Sequence, residues 1–466
     1  MTHSVLPTAL IGRCHRVAIV GAGPAGLYTA EALLKAPARV AIDVIEGLPA
    51  PFGLVRYGVA PDHLKIKSIA RVLSKVFDHP DVRFVGNVTH DVDVSFDDLR
   101  ERYDAVIYAI GAGADRQLGI PGMTLPGSRA AAEFVAWYNA HPNAGQVCTL
   151  PGARVAVIGA GNVALDVTRM LTKPLDALAT TDMPRHVLAT LAASPVTDVY
   201  VVARRGPAQA KFTPIELREL GELPGVDVLV SADVLAIDSL GRHGTELSKA
   251  TRTNIEILQG WSQRELTGAP KRIHLLFWRR PAAVLGQDAV AALRLERTVP
   301  DGANGAKGSG EFETLPTDAV LRSVGYRGLP VSGLPFDAAT ATMPNQQGRV
   351  VDPSGRTVPG AYVAGWIKRG PTGVIGTNKG DAAETARSVL ADLAALEATP
   401  ERGQDSSVTT LLEHRNLPYV SWDGWRRLDA YEIGLGRAAG KERVKVADRA
   451  TMLRVALPAV RERSAS

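Results

Sequence analysis

Cysteine is almost missing from this sequence. Among 466 residues only Cys14 and Cys148 occur, and two thiols so far apart along the chain can build neither a disulfide framework nor a cysteine-ligated cluster. Redox chemistry, if there is any, must then use a bound cofactor, and no metal site is expected. Long apolar runs are lacking too: none reaches the roughly 18 residues that a membrane helix needs. The opening MTHSVLPTALIGRCH lacks the apolar core of a secretion signal, which predicts a cytoplasmic chain. Charge of one sign is scarce as well. The 53 basic and 48 acidic residues are interspersed and leave a formal net charge of +5, weak grounds for nucleic acid and better ones for an anionic cofactor or an acidic protein partner.

What the sequence has is glycine in two patterned places. RVAIV at 16–20 reads as a buried strand, GAGPAG follows at once, LYTAEALLKA continues as a helix, and VAIDVIE at 40–46 forms the next strand. In this βαβ unit Gly21 permits the tight turn and Gly23 lets the backbone approach a pyrophosphate. Gly26 allows helix and strand to pack, and Pro24 and Ala25 lie between. The helix start offers amide donors and partial positive charge to the anion. Glu46 ends the second strand, placed for a ribose hydroxyl pair; Asp43 competes but lies inside the strand.

The pattern recurs in RVAVIGAGNVALDVTRMLTK at 154–173, where Gly161, Asn162 and Val163 open the helix and Ala164 takes the third glycine position. Here the following strand, DVYVVARR, ends on Arg204 and Arg205 instead of an acid. Two guanidiniums can give charge-assisted bonds to a 2′-phosphate, each worth roughly 1.5–3 kcal/mol, so the second unit reads as the NADP site. The spacing from glycines to arginines is long, which predicts a helical excursion over 174–195. The first unit is then read as the FAD site, since oxidoreductases with two such units commonly pass hydride from nicotinamide to flavin.

The expected architecture is α/β, with two Rossmann-like domains and the second inserted into the first. Residues 1–115 and 336–466 form the FAD-binding domain and 116–335 the NADP-binding domain. YDAVIYAIGAGADRQLGIPG leaves the first unit through glycines, DAVLRSVGYRG repeats that theme, and AYVAGWIKRGPTGVIGTNKG returns to the first unit through a strand, a turn and a long helix. PDGANGAKGSGEF at 300–312 reads as a polar loop at a hairpin tip. With no CxxC pair beside a flavin, disulfide-reductase chemistry is excluded, which points to an external one-electron carrier such as an acidic iron-sulfur protein.

GAGPAG, PFGLVRYGVAPDH, GAGNVALDVTR, RRGPAQAKFT, VGYRG and AGWIKRGPTGVIGTN, in this order, resemble the adrenodoxin reductase family of ferredoxin-NADP reductases over almost the whole chain. The resemblance implies FAD held noncovalently in the first domain, NADPH in the inserted one, and delivery to a ferredoxin that could feed a cytochrome P450. Position by position it puts FAD against Ala25, Glu46, Leu54, Val88, Trp366, Gly373, Val374 and Ile375. It puts NADP against Asn162, Val163, Ala164, Arg204, Arg205, Glu216 and again Gly373.

His63 and Asp166 match a family pair near flavin and nicotinamide. They are the candidate catalytic pair, with the carboxylate expected to orient the imidazole and raise its pKa. Hydride transfer needs no general base, so holding the two rings together matters more than proton transfer. Arg218 matches a ferredoxin-docking position, and Lys249 and Arg252 are weaker choices. Rival readings are the flavin small subunit of glutamate synthase, disfavoured by the missing N-terminal cysteines, a non-catalytic NADP-binding sensor, and an NADPH-driven monooxygenase.

Overall fold

The computed structural model describes residues 13–145, 147–240, 247–302, 305–396 and 407–458. Each glycine fingerprint follows a central strand of its own sheet. The first sheet runs Asn345–Gln346, Arg349–Val351, Thr357–Val363, Ala105–Tyr108, Cys14–Val20, Arg39–Glu46, Val82–Gly86. The last five of these strands are parallel, and the first two add an antiparallel edge. The RVAIV strand is apolar without alternation because both its faces are covered, as parallel sheets require. Val17 and Ile19 join a core with Leu27, Leu33 and Val389 from helices Pro24–Leu34 and Thr377–Ala395. Ala18 and Val20 face the opposite core, with Leu99, Tyr108 and Val408.

The second sheet, in the order Ser128–Ala130, Ala319–Arg322, Arg154–Ile158, Asp198–Val202, Lys271–Leu276, Val226–Val230, is parallel throughout. The molecule is therefore α/β with two Rossmann-like units. Helices Leu175–Ala179 and Arg185–Ala192 form the expected excursion between fingerprint and arginine pair. The chain passes between the sheets at Ala114–Asp115 and Tyr326–Arg327, which pair antiparallel with each other. Strand Thr357–Val363 then pairs with Ala105–Tyr108 in the first sheet.

One expectation needs correcting. The segment 300–312 is not mainly a loop: Gly305–Pro316 is a strand pairing with Ala292–Asp301, from Asp301 opposite Gly305 onward. Partner hydrogen bonds override the poor strand propensity of its glycines; residues 303–304 of the tip lie outside the described residues. With Arg279–Leu285 these strands make a small antiparallel sheet whose Val284, Leu293 and Leu295 pack on Ala156, Ile158 and Val320 of the second sheet.

The C-terminal helices Trp422–Ala438 and Arg449–Ala456 complete the first core. Trp422 stacks on Phe77 at 4.4 Å, and Trp425 meets the Phe52 ring edge-on at 5.9 Å. No helix among the described residues is long and apolar enough to cross a membrane.

Candidate functional site

The glycines of the first fingerprint do different jobs. A Cβ on Gly21 would sit 2.4 Å from the Ala109 carbonyl oxygen, and one on Gly26 2.0 Å from the Gly21 carbonyl oxygen, so both are demanded by packing. A Cβ on Gly23 would meet nothing closer than the Gly53 Cα at 4.0 Å. The backbone here borders open space, and helix Pro24–Leu34 begins there with no side-chain cap on its amides. Such a cradle fits a pyrophosphate.

Glu46, at the end of its strand, accepts from the Ala22 amide at 2.9 Å and the Leu48 amide at 3.1 Å. Burial pushes its carboxyl up, against the pull of those amides, that of Gly47, and the Arg449 charge. Those three amides leave part of the carboxylate's acceptor capacity for a ribose hydroxyl. Asp43, the competitor, is consumed by a bidentate pair with Arg83 at 2.6 and 2.8 Å and by the Tyr103 hydroxyl.

Leu54 is 40% exposed, one residue beyond Gly53 and so beside the opening. The Val88 side chain is buried in the core and its amide donates to the Glu46 carbonyl at 2.9 Å, which leaves only its carbonyl for a ligand. Gly365, a position the sequence reading passed over, has φ +77°, and its Cβ would fall 2.5 Å from that of Ala25; this brings the Trp366–Ile375 segment onto the first fingerprint helix. The Trp366 indole donates to the Thr372 carbonyl. Gly373 has φ +82°, Val374 is 66% exposed, and the Val374 amide is already bonded to the Thr377 hydroxyl at 3.1 Å. Ile375 packs on the core. Of the three residues that the resemblance puts against FAD here, Val374 has its amide taken within the turn.

In the second fingerprint, a Cβ on Gly159 would lie 2.2 Å from the Ser323 carbonyl oxygen, whereas one on Gly161 would meet nothing within 4 Å. Helix Asn162–Thr172 starts at this opening without a side-chain cap. The Asn162 side chain instead accepts from the Thr213 amide at 2.9 Å. Ala164 is fully buried, the packing role of the third glycine position, and Val163 is half-buried. Arg204 is exposed and Arg205 half-buried, at the end of the strand next to Arg154–Ile158. Burial and the Arg204 charge both push the Arg205 pKa down, the strain of like charges that an anion would relieve.

His63 and Asp166 meet where the two units touch, with a third residue between them and their neighbours. Arg169, one turn beyond Asp166 and 1% exposed, donates to Asp62 at 2.8 and 3.0 Å, to Asp166 at 2.7 Å and to Glu216 at 3.3 Å. It also lies 3.2 Å from Glu219 and 2.7 Å from His63 Nε2. Asp166 Oδ1 is 4.0 Å from His63 Nδ1, so this carboxylate is bonded to Arg169 and does not directly orient the imidazole.

His63 Nε2 is 3.0 Å from Glu219. It can accept from Arg169 or donate to Glu219, according to which ring nitrogen carries the hydrogen. Burial raises the carboxyls of Asp166 and Glu216. That of Asp62 is also penalised by burial, but its bonds to Arg169 and Lys173 dominate and hold it well below the usual range. His63, Glu216 and Glu219 bring ligand atoms within 4.8 Å of one another, yet a guanidinium already supplies the cation among them.

The sequence reading missed Arg169, Asp62 and Glu219. The available signal was Arg169 three residues after Asp166, the spacing that puts both on one helix face. Arg218 is exposed on helix Pro214–Gly221, and Lys249 and Arg252 are exposed on the neighbouring helix Lys249–Ser262. Residues 241–246, shortly before Lys249, lie outside the described residues.

The model of the pyridine nucleotide-disulphide oxidoreductase family matches residues 15–258. The chain is 45% identical over 462 residues to the NADPH-ferredoxin reductase FprA of Mycobacterium tuberculosis, spanning 96% of this chain and 100% of that one. It is 38% identical over 450 residues to the mitochondrial NADPH:adrenodoxin oxidoreductase of Arabidopsis thaliana, spanning 92% and 93% of the two chains. The solved structure of Mycobacterium tuberculosis FprA in complex with NADPH matches with a TM-score of 0.89 and 44% identity, covering 96% of this chain and 100% of that one. The motifs, the two sheets and these matches agree: the chain belongs to the pyridine nucleotide-disulphide oxidoreductase family, among the relatives of the NADPH-ferredoxin and adrenodoxin reductases.

Proposed function

We propose that the chain is an FAD-dependent NADPH:ferredoxin oxidoreductase, a ferredoxin-NADP reductase that takes hydride from NADPH and delivers single electrons to an acidic ferredoxin-type iron-sulfur protein. The observation that carries this reading is a pair of uncapped helix starts, each behind a glycine facing open space, in two units whose side chains converge on Arg169. The names of the relatives supply the electron acceptor.

In this reading FAD lies along Gly21–Gly26, with Glu46 on its ribose and the Trp366–Ile375 segment beside its ring. NADP lies along Gly161–Ala164, with Arg204 and Arg205 on its 2′-phosphate. A bound flavin supplies the exchange between a two-electron donor and a one-electron acceptor. The chain's own residues bind and orient: the glycine cradles fix the pyrophosphates, and the Arg169 cluster holds the facing surfaces of the two units in register. His63 is a positioning residue of that junction and not an acid or base in hydride transfer. Sheet membership supports domain limits of 1–115 with 336–466 and 116–335, because strands up to 108 and from 345 build one sheet and those of 128–322 build the second parallel sheet and the small antiparallel one packed on it. A cytoplasmic setting belongs to the same reading.

The test is stopped-flow reduction of the purified yellow protein by NADPH and by NADH, followed by mixing with ferredoxins. Replacing both arginines by alanine, Arg204→Ala with Arg205→Ala, should weaken NADPH use on the order of 100-fold and NADH use far less. Equal losses with both donors overturn the 2′-phosphate assignment.

A further inference from the structure

Arg169 is a buried charge that neither fingerprint accounts for. Its guanidinium is 1% exposed, and a buried cation is tolerated only where its charge and its N–H groups are met. Here they are met from both sides of the domain junction. Nε and Nη2 grip Asp62, on the loop of the first unit that carries His63. Nη2 also reaches Asp166, and Nη1 reaches Glu216 and lies 3.2 Å from Glu219, all three in the second unit. The planar fork aims these bonds in fixed directions, which an ammonium cannot reproduce. Lys173, at the C-terminal cap of the same helix, adds a second bond to Asp62 at 2.7 Å. That helix begins at Gly161, where the second cradle opens. A single rigid element therefore joins the NADP cradle to the loop bearing His63.

We propose that Arg169 is a positioning residue for hydride transfer: by clamping Asp62 to Asp166 and Glu216 it sets the offset between the two dinucleotide sites before either ligand arrives. The inference rests on the functional reading above. Two rings held by separate units react only if that offset is right to a fraction of an ångström, so a loosened clamp costs rate at constant affinity. Adenosine-half binding, which uses Gly161 and the arginine pair, is independent of it.

The experiment compares wild type with Arg169→Met and Arg169→Lys, and reads two quantities. One is the rate at which saturating NADPH bleaches the flavin. The other is the affinity for 2′,5′-ADP measured by calorimetry, which needs no turnover. Arg169→Met should bleach about 10- to 100-fold more slowly, with 2′,5′-ADP affinity within about twofold of wild type, and Arg169→Lys should recover part of the rate. Should Arg169→Met not fold, Asp62→Asn removes the other end of the clamp and should show the same split at smaller size.

Bleaching at the wild-type rate in the folded variant overturns the proposal. So does a loss of 2′,5′-ADP affinity as large as the loss of rate, since that marks general collapse of the second unit. A wild-type protein whose flavin NADPH does not bleach instead overturns the functional reading itself.

Discussion

One methyl group separates the two kinds of glycine in the first fingerprint. Gly23→Ala adds a Cβ where its nearest neighbour is 4.0 Å away, whereas Gly26→Ala drives it to 2.0 Å from a carbonyl oxygen. Gly23→Ala should therefore leave the thermal midpoint of the flavin-stripped protein unchanged while weakening FAD retention at least about tenfold, because the methyl fills the approach to the pyrophosphate. Gly26→Ala should lower that midpoint directly, by the several degrees that a few kcal/mol of backbone clash implies. Flavin-fluorescence titration and melting of the stripped proteins would separate the two, and equal melting losses would refute the distinction.

His141 makes a second prediction at the residue scale. Burial first, then the charges of Arg449 and Lys445, lower its imidazole to about 4, and its ring lies edge-on to Tyr57 at 4.9 Å. In the unfolded chain it titrates near 6.5. The unfolded state therefore binds more protons between these values. The stability this residue contributes is fully present above pH 6.5 and is lost as pH falls toward 4, by on the order of 3 kcal/mol. Urea midpoints of His141→Gln should fall less steeply over that interval than those of wild type.

Among elements, the helical pair over 175–192 was legible only as an anomalous spacing. Its place in the fold shows what it does. Asp182, between its helices, pairs with Lys67 at 2.8 Å and Lys445 at 3.3 Å, and the neighbouring Met183 carbonyl accepts from Lys441. Lys445 is buried and also bonds the Arg56 carbonyl and Asn139. The excursion thus ties the second unit to the C-terminal tail. Asp182→Asn would leave two poorly solvated ammonium groups without their counter-ion, a loss of roughly 3 kcal/mol in urea unfolding. A loss below about 0.5 kcal/mol, the range of an exposed pair, would contradict the burial argument. The 300–312 hairpin arm was misjudged for a complementary reason, since strand pairing with 292–301 supplies what its glycine-rich composition withholds.

For the molecule as a whole, charge is thinly spread, with a net value of +5, yet Arg218, Lys249 and Arg252 are exposed on two adjacent helices of the second unit. Electron delivery to an acidic ferredoxin should slow several-fold as salt rises from about 50 to about 300 mM, over which the screening length falls well below the reach of a charged patch. Flavin reduction by saturating NADPH should change far less. A salt-insensitive second step, followed by cytochrome reduction, would remove electrostatics from the docking.

The sequence alone determined the two βαβ units and their order, the separate glycine patterns and the arginine pair. All of these are written in stretches of a few tens of residues, where backbone periodicity and turn sterics act locally. Strand position favours Glu46 over Asp43 for a ribose, and in the structure Asp43 is held by Arg83 and Tyr103. Only tertiary structure decided that Val88 hides its side chain in the core and that Asp62 and Glu216 meet on Arg169. Asp62, Arg169 and Glu216 lie far apart along the chain. What brings them together is the packing of one unit on the other, in which a buried charge must find its partners wherever the fold has placed them.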